Sequence, residues 1–477
     1  MLPEDKKIRE DYSWYKSELE KRLPIGKSFD VLTRTIENSG LKMTMYFVDG
    51  LVSGGDMQYV MSHLLKVANV GETKSTDDFM KHLPFLDAIT ENDLDMVIKH
   101  LYAGLVPILV EGIDKIVIID VRKYPKRSIE EPQKEKTLRG AKDGFTEVFM
   151  DNIALIRRRI RDNNLIFKSI VVGAESKSDT CIVYMENVAD ISTVKYLEEK
   201  ISSLKVENMS ACEQTLVEEL MRSKNGKLGF SPFPKVRYTQ RPDIAAAHLT
   251  EGKIAIIVDN SPNVILVPVG IFDFMQDADD YYFPRLTGNY FKLLRLINFL
   301  VILFLVILFL TPLYVLIAEG YIPTHEFIRF FIPDTDYAIP LLLQFILLEF
   351  AVDGLKLASL NTPDSLGMSL SVIGALILGE FSIESGWFIP QSILCMAVVA
   401  LAAFTQPSIE LGYAIKFNRM LMLIGAGLFG FIGFAIGLLI GLFVMAFTKN
   451  LVGTSYLYPL IPLDAKALKR LIFRTGK

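Results

Sequence analysis

Residues 296–318, LINFLVILFLVILFLTPLYVLIA, run for 23 positions without a charged side chain. A helix rises about 1.5 Å per residue, so a run of this length spans the roughly 30 Å hydrocarbon core of a bilayer. The same bias returns over much of 365–447, whereas residues 1–285 alternate charged and apolar segments in the manner of a globular protein. The overall composition, 51% hydrophobic against 22% charged, is therefore unevenly spread. It predicts a soluble α/β domain followed by an α-helical, multi-span membrane domain.

Charge and rare residues narrow the function classes. A formal net charge of −4 argues against a general nucleic-acid binder. The stretch MLPEDKKIREDYSWYKSELEKRLPIGKSFDV has no apolar signal core, so the soluble part is expected to stay cytoplasmic. Cys181, Cys212 and Cys395 show neither CxxC nor metal-ligand spacing, which suggests reduced thiols. His63, His82, His100, His248 and His325 are equally dispersed, and no metal site or cofactor is expected. IGKSFD at 25–30 ends like a phosphate-binding loop, but Lys21 stands where the required glycine should be. No GxSxG or Ser/His/Asp arrangement occurs, and nothing in the chain reads as an enzyme.

The soluble half reads as one unit built twice. MTMYFVDG (43–50) is a strand and turn, MQYVMSHLLKV a helix, and LVPILVEGIDKIVIIDV (105–121) two strands around a turn. About 140 residues later the order repeats in TCIVYMEN (180–187), STVKYLEEKISSL and KIAIIVDNSPNVILVPV (253–269). Two related α/β subdomains, 1–140 and 141–290, are expected. Between them, EVFMDNIALIRRRIRDNNL (147–165) puts Ile153, Ile156 and Ile160 on one helical face and the arginines on the other. Those arginines read as a solvated face, with anionic lipid or a neighbouring subunit as the other possible partner.

The membrane domain is expected over 291–450, with a basic cytoplasmic tail over 451–477. Arg285, Lys292 and Arg295 precede the first span, and Glu319, Glu326, Asp334 and Asp336 follow it against Arg329, which places the N-terminal side inside. Further spans are expected near 367–386, 390–409 and 420–447. Lys449, Lys466, Lys469, Arg470, Arg474 and Lys477 keep the tail inside, so the number of spans must be even. Counting 341–358 as a crossing gives five; omitting it gives four but leaves Lys416 and Arg419 outside, against the rule.

Three polar features interrupt the apolar segments. Gly433, Gly437 and Gly441 recur every four residues, which suits close helix packing, either between subunits or around a pore, or within one chain. Glu380 and Glu384 lie one turn apart in a span, where a carboxylate needs a water-filled cavity or a partner; a functional polar surface and a structural ion pair both satisfy this. LLLQFILLEFAVDGLKLA (341–358) places Glu349, Asp353, Lys356 and Ser359 within an arc of roughly 120°, with Gln344 outside it. Asp353 can pair with Lys356, and Pro340 and Pro363 bracket the segment. It is expected to be an amphipathic interfacial or re-entrant helix beside a pore, against the alternative of a surface helix with solvated charges.

Long segments carry a family resemblance. LRGAKDGFTEVFMDNIALIRRRIRD (138–162), VGAESKSDTCIVYME (172–186) and RYTQRPDIAAAHLTEGKIAIIVDNSPNVILVPVGIFDFMQDADDYY (237–282) resemble the A-subunit family of bacterial spore germination receptors. IPLLLQFILLEFAVDGLKLASLNTPDSLGMSLSVIGALILGE (339–380), FIPQSILCMAVVALAAFTQPSIELGYA (388–414) and SYLYPLIPLDAKAL (455–468) are similar to its stage V sporulation protein AF branch. The motif positions carried over are Arg241, Pro242, Asp243 and Asp259. The family's usual Glu-Arg-Pro is Gln240-Arg241-Pro242 here, and Ala141 replaces a common proline. Related subunits also place acids one turn apart in the helix matching 341–358. The resemblance implies a multi-pass protein of the spore inner membrane, acting in germination as part of a homo-oligomeric, pentameric ring that conducts monovalent cations. It also implies a small membrane partner protein, association with other germination receptor subunits, and a role relaying or amplifying ion release rather than sensing nutrient. The alternative is a non-conducting scaffold that clusters receptors; a secondary transporter fits less well, since the repeat lies in the soluble half.

Overall fold

The computed structural model describes residues 12–38, 41–67, 76–81, 83, 87–113, 115–124, 140–222, 231–277, 279–310, 338–361, 374, 376–463 and 465. The chain divides into two compact units, Met1–Gly229 with Val236–Pro268, and Phe230–Lys235 with Val269–Lys477.

The first unit opens with α1 (Tyr12–Arg22), β1 (Val31–Asn38), β2 (Leu41–Val48), α2 (Gly54–Val67) and α3 (Thr76–Lys81). β3 (Ala88–Glu91), α4 (Leu94–Tyr102), β4 (Val106–Val110) and β5 (Ile116–Ile119) complete an antiparallel sheet of order β1-β2-β4-β5-β3. Strand alternation splits its side chains between two cores. Tyr46, Val48, Leu109, Ile116 and Ile118 face α1 and α4, while Met43, Met45, Ile108, Val117 and Ile119 face α2 and Phe79 of α3. Both faces are covered, which is why β4 and β5 read as unbroken apolar runs.

After α5 (Phe149–Arg159) come β6 (Leu165–Val172), β7 (Ser178–Met185), α6 (Ile191–Ser202), α7 (Cys212–Met221), β8 (Arg237–Thr239), α8 (Pro242–Thr250), β9 (Ile254–Val258) and β10 (Val264–Val267). Their antiparallel sheet has the order β6-β7-β9-β10-β8, the same pattern as the first. The region is thus an α/β fold with two antiparallel sheets.

The arginine face of α5 is not wholly solvated. Arg158 is exposed, but Arg157 is fully buried. Its Nε donates to Asp30 Oδ2 at 2.8 Å and its Nη2 to Asp30 Oδ1 at 3.1 Å and to the Leu165 carbonyl at 2.9 Å. The guanidinium carbon lies 5.0 Å from the Tyr102 ring centre and 4.8 Å from that of Phe167. Ser28, within the phosphate-loop look-alike, accepts from the Phe167 amide at 3.0 Å, so this stretch fastens the approach to β1 onto β6.

The second unit is helical. A 3-10 turn (Ile271–Met275) and α9 (Asp279–Tyr282) lead into α10 (Arg285–Leu310), followed by α11 (Leu341–Asn361), α12 (Pro390–Phe404) and α13 (Ile409–Phe447). Two helices, Arg285–Ile307 and Ile409–Phe447, are long and apolar enough to cross a membrane by length and composition. The expected span 296–318 is described only as far as 310, and 367–386 only at 374 and 376–386; Glu319, Glu326, Asp334, Asp336 and the tail from Lys466 onward lie outside the described residues.

The expected single span over 420–447 is corrected. α13 breaks at Gly430, whose φ of 58° and ψ of −142° suit only glycine. Gly433 lies against the Gly425 carbonyl, Gly437 against Met422 and Gly441 against Asn418. The paired residue numbers fall on one side as they rise on the other, so 409–429 and 431–447 are the antiparallel arms of a helical hairpin.

Candidate functional site

The polar residues of α11 decide where chemistry can sit in the helical unit. Gln344, Phe345, Leu348 and Glu349 are buried, whereas Leu343, Leu347, Phe350 and Leu357 are exposed. In its first half the helix is therefore polar inward and apolar outward, the reverse of a water-facing amphipathic helix. Buried Glu349 does not fit the alternative of a surface helix with solvated charges.

The first arm of α13 starts at Ser408, which caps it by accepting from the Leu411 amide at 3.2 Å. Leu411, Ala414, Ile415, Met422, Leu423 and Ala426 form its buried stripe, and Arg419 occupies a position within that stripe. Glu349, only 2% exposed, meets it there. Arg419 Nε donates to Glu349 Oε1 at 2.7 Å, and its Nη1 to the Ile302 carbonyl of α10 at 3.0 Å. One turn lower, Lys416 Nζ lies 3.2 Å from Glu349 Oε2 and 3.3 Å from the Glu349 carbonyl, and it pairs with Asp353. Two carboxylates and two cations balance within apolar surroundings that include Val306, Phe345, Leu348, Cys395 and Leu423. Left alone, any one of these charges would cost several kcal/mol; together they satisfy one another.

Lys416 and Arg419 thus do not face outward as isolated basic groups, and Asp353 pairs across helices rather than with Lys356. Lys356 Nζ instead lies over the Phe404 ring, 5.3 Å from its centre. Lys416 and Arg419 were absent from the sequence-based site. The signal for them was a matching pair of spacings: acids four apart on one apolar helix, bases three apart on another.

Glu380 and Glu384 are not part of this network. Glu380 sits in a π-helical turn (Leu376–Phe381) and Glu384 in the short helix Ser382–Glu384; both are exposed, beside exposed Phe381 and Trp387. Gly433, Gly437 and Gly441 face the chain's own first arm.

The motif residues of the α/β unit form a separate cluster. Pro242 is the first residue of α8 and Arg241 its N-cap. Buried Arg241 donates to Asp243 (Nε–Oδ1 3.1 Å, Nη2–Oδ2 2.7 Å) and to the Ala141 carbonyl at 3.0 Å. Gln240 donates to Asn263 Oδ1 at 3.0 Å. Asp259 follows β9 and accepts from Asn260 Nδ2 at 3.0 Å. This is a clamp between residue 141 and the start of α8. Burial pushes the Cys181 and Cys212 thiols up, away from the reactive thiolate. Among the described residues no group of His, Cys, Asp and Glu is arranged to hold a metal ion.

Contacts also fix the heights of the helices within this unit. Asn298 donates to Thr405 and Gln406 to the Arg295 carbonyl at one end. Gln344 accepts from the Ile389 amide and Ser392, and Leu342 abuts Gly427, at the other. The charge network lies between these two levels.

Comparison with known proteins adds four findings. A family profile described as Bacillus/Clostridium GerA spore germination protein matches residues 18–476. Stage V sporulation protein AF of Bacillus subtilis (strain 168) is 36% identical over 458 residues, covering 96% of this chain and 91% of that protein. Spore germination protein KA of the same organism is 26% identical, covering 95% and 83%. Among solved structures, the N-terminal domain of the A subunit of the Bacillus megaterium spore germinant receptor GerK3 aligns with a TM-score of 0.39 and 21% identity, over 54% of this chain and 94% of that domain.

Proposed function

The chain belongs to the GerA family of spore germination proteins, and from that premise we propose that it is a subunit of an oligomeric, cation-conducting membrane assembly. In this role it relays or amplifies ion release during germination. The observation that carries the proposal is the exposure of Glu380 and Glu384 on an otherwise apolar helical segment. A carboxylate in such a segment needs water or a partner. In a ring of subunits these two would line the shared polar path, and the resemblance to A subunits makes a pentamer the expected ring. A small membrane partner and other receptor subunits are its proposed associates, in the spore inner membrane.

The levels described above suit six crossings. α10 rises, α11 descends, α12 descends, and the two arms of α13 rise and descend. A sixth, rising crossing is proposed ahead of Pro390, where Glu380 and Glu384 lie. Six is even, so both chain ends lie on one side, proposed as cytoplasmic, with α11 counted as a crossing.

Purified protein in liposomes should pass potassium down a gradient, and the double variant Glu380→Gln, Glu384→Gln should lower that flux severalfold. Flux unchanged in the variant removes these acids from the path. The scaffold reading draws on the internal pairing of Glu349 and Asp353, which needs no pore. It is favoured if residues 1–285 on a foreign membrane anchor restore germination.

A further inference from the structure

We propose that Glu349, Asp353, Lys416 and Arg419 form a resting-state latch, which holds the first arm of α13 against α11 and must part before the conducting path opens. The inference rests on the channel reading above, and it assigns these acids a role opposite to that of Glu380 and Glu384.

Every strong contact in the network runs between elements. Arg419 ties α13 to α11 through Glu349 and to α10 through the Ile302 carbonyl, and Lys416 ties α13 to α11 twice. Asp353 has Lys356 three residues away on its own helix, yet it pairs with Lys416. Such a network stabilises one arrangement of three helices rather than any helix by itself.

Its position makes the arrangement two-state. The Glu349 and Arg419 side chains are 3% and 4% exposed, whereas Lys416 and Asp353 are 15% and 26% exposed. The inner pair cannot separate by small steps, because each half-separated charge would be buried alone. The outer pair gives water a point of entry, so separation proceeds from Asp353 inward and ends with all four groups hydrated. The arm that would move is bounded by Gly430 at one end and the capped turn at Ser408 at the other.

The paired state is the one the structure shows. Contacts present only in that state bias the equilibrium toward it, and their removal shifts the population away. Neutralising Glu349 should therefore raise resting flux, whereas neutralising a path-lining acid lowers it.

Cys395 supplies an independent reporter. It is buried in the same apolar cluster as Phe345, Leu348 and Leu423, so parting of α11 from α13 should open it to a water-soluble maleimide. The experiment uses full-length protein carrying Cys181→Ala and Cys212→Ser, in potassium-loaded liposomes without germinant. Glu349→Gln and Lys416→Met are each expected to raise resting efflux and Cys395 labelling by about tenfold, on the scale of one lost charged hydrogen bond. The swap Glu349→Arg with Arg419→Glu should bring both back toward the parent, an outcome that general loss of packing does not produce. If labelling rises and the swap reverses it while no protein passes potassium, the latch stands and the channel reading fails. If efflux falls in Glu349→Gln as it does in the Glu380→Gln, Glu384→Gln variant, or if labelling stays at the parent level, the latch is overturned.

Discussion

Arg157 and Asp30 stand 127 positions apart and bury completely against one another. A charge so enclosed is tolerable only while its partner remains, and removing one member of such a pair costs about 3–5 kcal/mol. Arg157→Met is therefore expected to destabilise the α/β unit by that amount, read from denaturant unfolding of the full chain. Asp30→Leu made together with Arg157→Met should recover much of the loss, since an apolar pair strands no charge. The helical period of α5 showed which positions share its isoleucine face, but not that Arg157 meets an aspartate from outside β1. Arg241 differs, because its partner Asp243 is two residues away and the first-turn Pro242 marks the helix start. Local chemistry of that kind is legible in one dimension.

At the scale of elements, α13 shows what periodicity leaves out. A helix of 39 residues is long for one crossing, and the glycines at every fourth position announce a close approach without naming the partner. The partner is the preceding arm of the same helix. A side chain at 433 would collide with the backbone at Gly425, and one at 437 with Met422. Gly433→Leu is expected to force the arms apart and cost about 1–3 kcal/mol, the usual penalty of overpacking. Thermal unfolding in detergent measures it, and an unchanged midpoint would mean that the arms do not pack through this face. In α11 the polar arc follows the helical period, but its partners lie on other helices. The two acids of the arc meet the basic positions of α13, whereas Lys356 lies over Phe404.

For the whole molecule, the proposed topology counts the hairpin as two crossings, which gives the even number that the apolar runs alone did not. With α13 counted twice, α11 can cross and both chain ends still share a side. A single cysteine placed at Gly430 should react with an impermeant maleimide from the face opposite to one at Arg285, in a background lacking native thiols. Labelling of both from the same face would contradict six crossings.

The sequence by itself determined the class of the protein: an α/β half with a repeated pattern, an apolar helical half, and membership in a germination family. The first two follow from composition and short-range periodicity, because burial on one face of a strand or helix imposes its own spacing; the family follows from the likeness of long segments to known relatives. Only the tertiary structure decided which charges meet. The pairings of Arg157 with Asp30, and of Lys416 and Arg419 with Glu349 and Asp353, join residues 63 to 127 positions apart. No local propensity encodes such a contact. Each is selected because a buried ion is stable only beside its counter-ion, and that condition is met in three dimensions.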